Sequence, residues 1–333
     1  EAMTRRAIII GAGIGGLSAA AQLAKAGFDV TVLEAHIYAG GCAGTYFHQG
    51  YRFDAGATLA AGFEPGGGMT RLGETLGISW PVEPAEAAMR VHLPGGQTIT
   101  RWSQVDAWQA ERVAAFGPEA ESFWRWQEQT AGRLWDVALR GVPWPPQGPR
   151  DALSLASAGL SMAAASPLGL PRLGLDAFRP VAAHLGKASP TLRRYVDGQL
   201  LIAAQATSEH ANALYGAAAL DMPRRGVGHV AGGIGKIAEL LTAAVRRHGG
   251  QVHFRQRVTS VERTRNGSYR IATHRKAEFE GDAVLFNLPP WDAARLLGEA
   301  APASLRRARP PADGWGAFMV YVGFDGAALS RGA

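Results

Sequence analysis

Hydrophobic positions along the chain change period in a regular order. Residues 7–10 form a continuous apolar run (AIII), which suits a strand buried on both faces of a parallel sheet. An Ala-rich helix follows, with Leu17 and Ser18 in its first turn, and residues 28–33 make a second strand that ends in Glu34. Residues 89–102 read as a hairpin, with MRVHL and QTITRW on either side of a Pro-Gly-Gly turn. Residues 103–140 have a helical pattern, broken near Gly117-Pro118, and carry Trp108, Trp124, Trp126 and Trp135. Tryptophans repeated along a helix predict core rather than a ligand site. Residues 143–149 (PWPPQGP) end this unit in a linker or sharp redirection.

Residues 152–171 carry no charge, and Pro and Gly interrupt them too often for a membrane span. A loosely helical lid is the expectation, with a segment resting on a bilayer as the alternative. Residues 198–220 are apolar and largely helical, suited to filling a core or lining a tunnel. A glycine-rich run at 226–235 (GVGHVAGGIG) then leads into a helix over 236–248, closed by Gly249-Gly250. Strands are expected at 251–254, 258–262, 269–272 and 282–287, with a turn at Asn266-Gly267. Residues 315–324 (WGAFMVYVGF) read as a further strand.

The first of these units carries chemistry. Gly11, Gly13 and Gly16 give G-x-G-x-x-G between the first strand and the helix. Gly11 lets the chain turn sharply, Gly13 lets a pyrophosphate approach the backbone, and Gly16 lets helix and strand pack closely. The helix N-terminus offers unpaired N–H groups and a positive dipole end to phosphate. Glu34 can accept hydrogen bonds from a ribose 2′-OH and repels a 2′-phosphate, so FAD or NAD is favoured over NADP. Strand, glycines, helix, second strand and acid stand in register, which makes a dinucleotide site the reading of residues 7–34. A second glycine cluster follows at 40–45 (GGCAGT), then YRFDAGAT at 51–58. On spacing alone this is an ordinary turn-rich loop; alternatively it lies along the same cofactor.

These segments together resemble the flavoprotein superfamily of amine oxidases, phytoene desaturases and carotenoid isomerases. G-x-G-x-x-G, the acid ending the second strand, the Gly-Gly pair and an F-D-x-G element at 53–56 are all present. The GGCAGT, YRFDAGAT and LPGGQTITRW (93–102) segments look most like the carotenoid desaturase and isomerase branch, particularly carotenoid 3,4-desaturases. Amine oxidases usually carry Arg directly after the Gly-Gly pair, where this chain has Cys42.

The resemblance implies FAD, and an α/β, two-domain flavoprotein. A Rossmann-like FAD-binding domain would comprise 1–60 and 225–290, and a substrate domain of mixed sheet and helices 61–224 and 291–333. It implies cofactor contacts from Gly11, Gly13, Ile14, Gly15, Gly16, Glu34, Ala35, Gly41, Cys42, Ala57, Thr58 and Val258. Ala57 and Thr58 would lie beside the isoalloxazine, and Arg257-Val258 would meet the adenine end through backbone. The stretch 286–289 would close the nucleotide domain. Relatives continue beyond the length seen here with a glycine-rich segment over the flavin ring, so the chain is expected to be a truncated form.

The reaction implied is desaturation of a carotenoid by hydride transfer to flavin N5. Carotenoid isomerase, retinol saturase, an amine-oxidase-like enzyme and a non-enzymatic escort of prenylated proteins share the motifs. His229, in the glycine-rich return, is the candidate proton acceptor, the plainer alternative being a hydrogen-bonded structural histidine. Arg101 and Glu64 are further candidates.

Composition narrows the rest. The 333 residues, 47% hydrophobic and 19% charged, describe a folded chain long enough for two domains. Cys42 is the only cysteine, which excludes an internal disulfide and fits a reducing cytosol; it is expected to be a small buried residue. The net charge of +6 is spread over Arg doublets at 5–6, 193–194, 224–225, 246–247 and 306–307. No basic run is interleaved with aromatics, so nucleic-acid binding is not indicated. Contact with anionic lipid would place a cytoplasmic protein on the membrane's inner face. No C-x-x-C, H-E-x-x-H, G-x-S-x-G or P-loop pattern occurs, so no metal, serine-hydrolase or P-loop chemistry is expected. Oligomeric state is left open.

Overall fold

The computed structural model describes residues 5–139, 141, 148–165, 169–310, 312 and 316–324. By contacts the chain divides into two compact units. The first comprises Glu1–Ala60, Met69–Glu83 and His229–Ala333; the second comprises Ala61–Gly68 and Pro84–Gly228.

The first unit is built on a four-stranded parallel sheet in the order Gln251–His253, Asp29–Leu33, Arg6–Ile10, Ala283–Phe286. Both faces of its central strand are covered, which is why residues 7–10 are uniformly apolar rather than alternating. Ile8, Ile10 and Leu33 share a core with Val258, Val261, Ile271 and Leu296. Three of those belong to an antiparallel sheet of Val258–Arg263, Tyr269–Thr273 and Glu278–Gly281. Helix Ile14–Lys25 contacts the strand Arg6–Ile10 and packs against helix Lys236–Arg247. A hairpin, Thr45–His48 with Tyr51–Asp54, turns through Gln49 and Gly50, both at positive φ, as a two-residue type I′ loop requires.

The second unit is mainly helical. The hairpin Ala87–His92 with Thr98–Trp102 forms as its alternation predicts. The tryptophan-rich stretch gives helices Val105–Phe116 and Glu121–Leu139, broken at Gly117 with φ +81. Trp108 and Trp124 are fully buried and meet edge-to-face at 5.2 Å, with Tyr195 stacked on Trp108 at 5.8 Å. Trp126 and Trp135 are only half-buried: Trp126 stacks on His184 and donates to Asp176 at 2.9 Å, and Trp135 carries the Arg225 guanidinium over its ring. The apolar run at 198–220 becomes parts of helices Pro190–Ala204 and Ala213–Arg225.

Two expectations meet a different outcome. Residues 316–324 form no strand and pair with no sheet. Their anchor is Tyr321, whose hydroxyl donates to the Ala55 carbonyl at 3.0 Å and whose ring packs on Tyr46 and Phe53. Cys42 is exposed, not buried, because the turn Gly41–Ala43 projects its side chain outward while its carbonyl faces Ala57.

Of the linker expected at 143–149, residues 143–147 lie outside the described residues. The uncharged stretch 152–171 falls on helices Pro149–Ala165 and Gly169–Asp176, with 166–168 outside the described residues. No helix among the described residues is long and apolar enough to cross a membrane.

Candidate functional site

The glycine turn and the acid meet inside the first unit. Gly11 sits at φ +100, which disfavours any side chain, and its N–H donates to the Leu33 carbonyl at 2.9 Å. The buried Glu34 carboxylate accepts from the Ala12 N–H at 2.7 Å and the His36 N–H at 2.8 Å, one bond to each oxygen. Glu34's own backbone is fixed by His253 O at 2.9 Å and Gln256 N at 2.7 Å. The acid is therefore clamped between the glycine turn and the segment running into Val258, which is itself buried in the core. Each carboxylate oxygen keeps lone-pair capacity for a further donor such as a ribose hydroxyl.

The second glycine cluster lies on the first. Gly40 N donates to Ala12 O at 2.8 Å, Gly40 bridges to Gly13, and a Cβ on Gly41 would stand 3.7 Å from Gly13 Cα. Gly40 holds φ +114, and a Cβ there would meet Ala43 O at 2.7 Å. The cluster thus packs against the first glycine turn.

Helix Ile14–Lys25 begins at Gly13 with no side-chain cap and no acid in its first turn, so its N-terminus is left for an anion. Ile14 is half-buried, Gly15 exposed and Gly16 buried. A Cβ on Gly16 would fall on the Gly11 carbonyl oxygen, which is the close helix–strand packing expected of that position. Ala35, Ala57 and Thr58 are exposed, and Ala57 N donates to Cys42 O at 3.3 Å, which ties the F-D-x-G segment to the Gly-Gly turn. These donors, acceptors and side-chain-free surfaces fit the adenosine and pyrophosphate of a dinucleotide.

A polar clamp the sequence reading missed organises the glycine-rich return. The Thr45 hydroxyl donates to Asp54 Oδ1 at 2.6 Å and accepts from Gly235 N at 2.8 Å, and Asp54 Oδ1 also accepts from Ile234 N at 3.0 Å. Asp54 is the acid of F-D-x-G, so its job here is to hold the start of helix Lys236–Arg247. The signal was the motif itself, but its partners lie about 180 residues along the chain.

His229 lies in strand Val227–Val230, exposed and without a hydrogen-bond partner among the described residues. The other two candidate acceptors belong to the second unit and do not suit the role. Arg101 is 2% exposed, stacks on Trp108 at 4.2 Å and, among the described residues, its guanidinium donates only to the Trp102 carbonyl; burial pulls its pKa down to about 10, so it stays protonated at neutral pH. Glu64 is tied to Arg225 at 3.1 and 3.2 Å. Among the described residues no group of three or more His, Cys, Asp or Glu could hold a metal ion.

Comparison with known proteins follows this geometry. The family described as flavin containing amine oxidoreductase matches residues 14–331. Prolycopene isomerase 2, chloroplastic, from an Oncidium hybrid cultivar is 26% identical over 306 residues, covering 88% of this chain and 49% of that protein. Phytoene desaturase from Cercospora nicotianae is 57% identical over 53 residues, 16% of this chain and 8% of that protein. Cyclohexylamine oxidase from Brevibacterium oxydans IH-35A shares the fold with a TM-score of 0.57 at 17% identity, covering 90% of this chain and 61% of that one. The chain spans about half the length of the first of these curated relatives. The Rossmann-like glycine turn, the α/β architecture and the match over nearly all its length agree: the chain belongs to the family of flavin-containing amine oxidoreductases.

Proposed function

We propose that this chain is the FAD-holding part of an oxidoreductase that desaturates a carotenoid or related apolar polyene. The observation that carries the cofactor choice is the stacking of two glycine turns on one another beside the clamped Glu34 carboxylate. An acid in that position disfavours a 2′-phosphate, and the paired turns suit the extended pyrophosphate of FAD. The polyene substrate rests on relatives named for prolycopene and phytoene chemistry.

In this reading Glu34 orients the adenosine ribose, Ala12 N holds Glu34 in place, and the uncapped helix start at Gly13 and Ile14 neutralises phosphate charge. The Thr45–Asp54 clamp fixes the return loop that carries Gly232 to Gly235. Bound FAD would supply the two-electron acceptor for hydride abstraction at an allylic carbon, chemistry that belongs to the cofactor rather than to any side chain. An apolar substrate needs orientation and dryness from the protein, not a charged handle. His229 is the residue we assign to proton removal, since it is exposed and unspent.

A redox-neutral isomerase is the second reading, favoured by the match to prolycopene isomerases across 88% of the chain. The complete reading frame expressed in carotene-accumulating cells tests both. A product two hydrogens lighter supports desaturation, and an isomer of unchanged mass supports isomerisation. Unchanged pigments with every carotene tried would sink both, and a colourless protein that binds prenyl chains would favour the escort reading. The purified protein should release FAD on heating, and Glu34→Ala should release at least about tenfold less, the loss expected when a charge-assisted hydrogen bond is removed.

A further inference from the structure

The four glycines of residues 11–16 are not all required for the same reason. Asn287 follows the edge strand Ala283–Phe286, its N–H donating to Ile10 O at 2.9 Å. Its carboxamide lies across the glycine turn, with Nδ2 making a long hydrogen bond of 3.5 Å to Gly11 O. A Cβ on Gly13 would stand 2.7 Å from Asn287 Nδ2, and one on Gly15 would stand 3.0 Å from Asn287 Oδ1. In both cases Asn287 supplies the only atoms within 4 Å beyond the chain neighbours and local helix backbone. Gly13 itself is extended at φ −70, ψ 170, a conformation any residue adopts, and Gly15 lies in the helix's first turn.

Gly11 and Gly16 differ in kind. Gly11 has φ +100 and a backbone oxygen, that of Asn287, 2.8 Å from its missing Cβ; Gly16 faces the Gly11 carbonyl first, with Asn287 Cβ and Nδ2 behind it at 3.0 and 3.1 Å. Backbone cannot be moved aside by changing a side chain. The usual account of the middle glycines is ligand approach. Here a protein side chain also stands against the positions a Cβ would take at Gly13 and Gly15.

We propose that Asn287 is a positioning residue of the nucleotide site. Its carboxamide ties the end of strand Ala283–Phe286 to the glycine turn, sets the turn's shape, and demands glycine at 13 and 15 before any ligand binds. The proposal rests on the nucleotide reading above. Nothing local in the sequence marks it, because Asn287 and Gly11 are 276 residues apart.

A double-mutant cycle on the cofactor-free chain tests it. Gly13→Ala and Gly15→Ala should each lower Tm by about 2–4 °C, the shift expected for a modest steric penalty in a chain of this size. Both losses should disappear in an Asn287→Ala background, whereas Gly11→Ala should remain as destabilised there as in wild type, and Gly16→Ala should recover only in part because the Gly11 carbonyl still blocks it. Asn287→Ala should bind FAD, and ADP as the probe for its adenosine-pyrophosphate half, about tenfold more weakly than wild type. Asn287→Asp should bind both more weakly still, with a defect that deepens at low salt because it sets a carboxylate beside phosphate. If Asn287→Ala is insoluble, Asn287→Ser carries the same cycle.

Unrescued losses at 13 and 15 would overturn the proposal, as would wild-type affinity for both ligands in the Asn287 variants. A wild-type chain that binds neither ADP nor FAD would overturn the nucleotide reading itself, and the proposal with it.

Discussion

Single side chains divide into those whose role is written in their motif and those whose role depends on a distant partner. Glu34 is of the first kind: an acid closing the second strand of a glycine-turn unit has one place to go. Thr45 is of the second. Thr45→Val would leave Gly235 N–H and one bond to Asp54 unpaired, so a loss of about 1–2 kcal/mol in unfolding free energy is expected, measured by urea denaturation. Arg101 shows burial overriding charge. It has one neutral carbonyl partner at 2.8 Å, and its Nε is buried without a hydrogen bond. Asp221 and Glu128 act on it only through longer-range attraction, and desolvation dominates.

Arg101→Met keeps an apolar stem over Trp108 and removes the buried charge, so unfolding free energy at pH 7 should rise by about 1 kcal/mol or stay level. The pH sign follows from a folded value depressed to about 10. Above pH 10 the unfolded chain keeps a proton the folded chain has released, so wild-type stability gains with rising pH. The gap between wild type and Arg101→Met should therefore narrow above about pH 10, and a constant gap would contradict desolvation as the cause.

Elements form where local pattern and tertiary burial agree. The first and second strands lie within one residue of the expected bounds, because period and burial point the same way, while the helix starts at Ile14 and so carries Ser18 in its second turn rather than its first. The segment 316–324 shows the converse. WGAFMVYVGF has strand composition, yet 316–324 pairs with no strand and makes none. Glycine contrasts test the packing at this scale. Gly16→Ala should destabilise by about 1–3 kcal/mol because its Cβ falls on the Gly11 carbonyl oxygen. Gly198→Ala, inside helix Pro190–Ala204 with nothing within 4 Å of the added Cβ, should stabilise by about 0.5–1 kcal/mol. Equal and opposite results in thermal melts would show that the helix contacts are misassigned.

For the whole molecule, the segments that meet around the glycine turn and hairpin are drawn from both ends of the described chain: residues 11–16, 34 and 40–45 from one end, 233–235, 253–258 and 287 from the other. A ligand held there should join these segments thermodynamically. FAD at about 100 times its dissociation constant should stabilise the folded chain by about 2.7 kcal/mol. Hydrogen exchange should slow together at 11–16, 34–42 and 233–235, and protection confined to one of these stretches would argue against a shared site.

The sequence by itself determined the parallel-sheet nucleotide fold, the glycine turn and the acid at its rim, because each depends on residues within about thirty positions of one another. The helix after residue 235 and the strands that follow it were also legible, because their periods are local. Only the tertiary structure decided that the second glycine turn lies on the first, that F-D-x-G clamps a helix start, that Cys42 faces solvent, and that Arg101 is buried beyond proton chemistry. Asn287 belongs with these. The physical reason is the same in each case: hydrogen bonds and close approaches between segments far apart in sequence leave no periodic trace in either one.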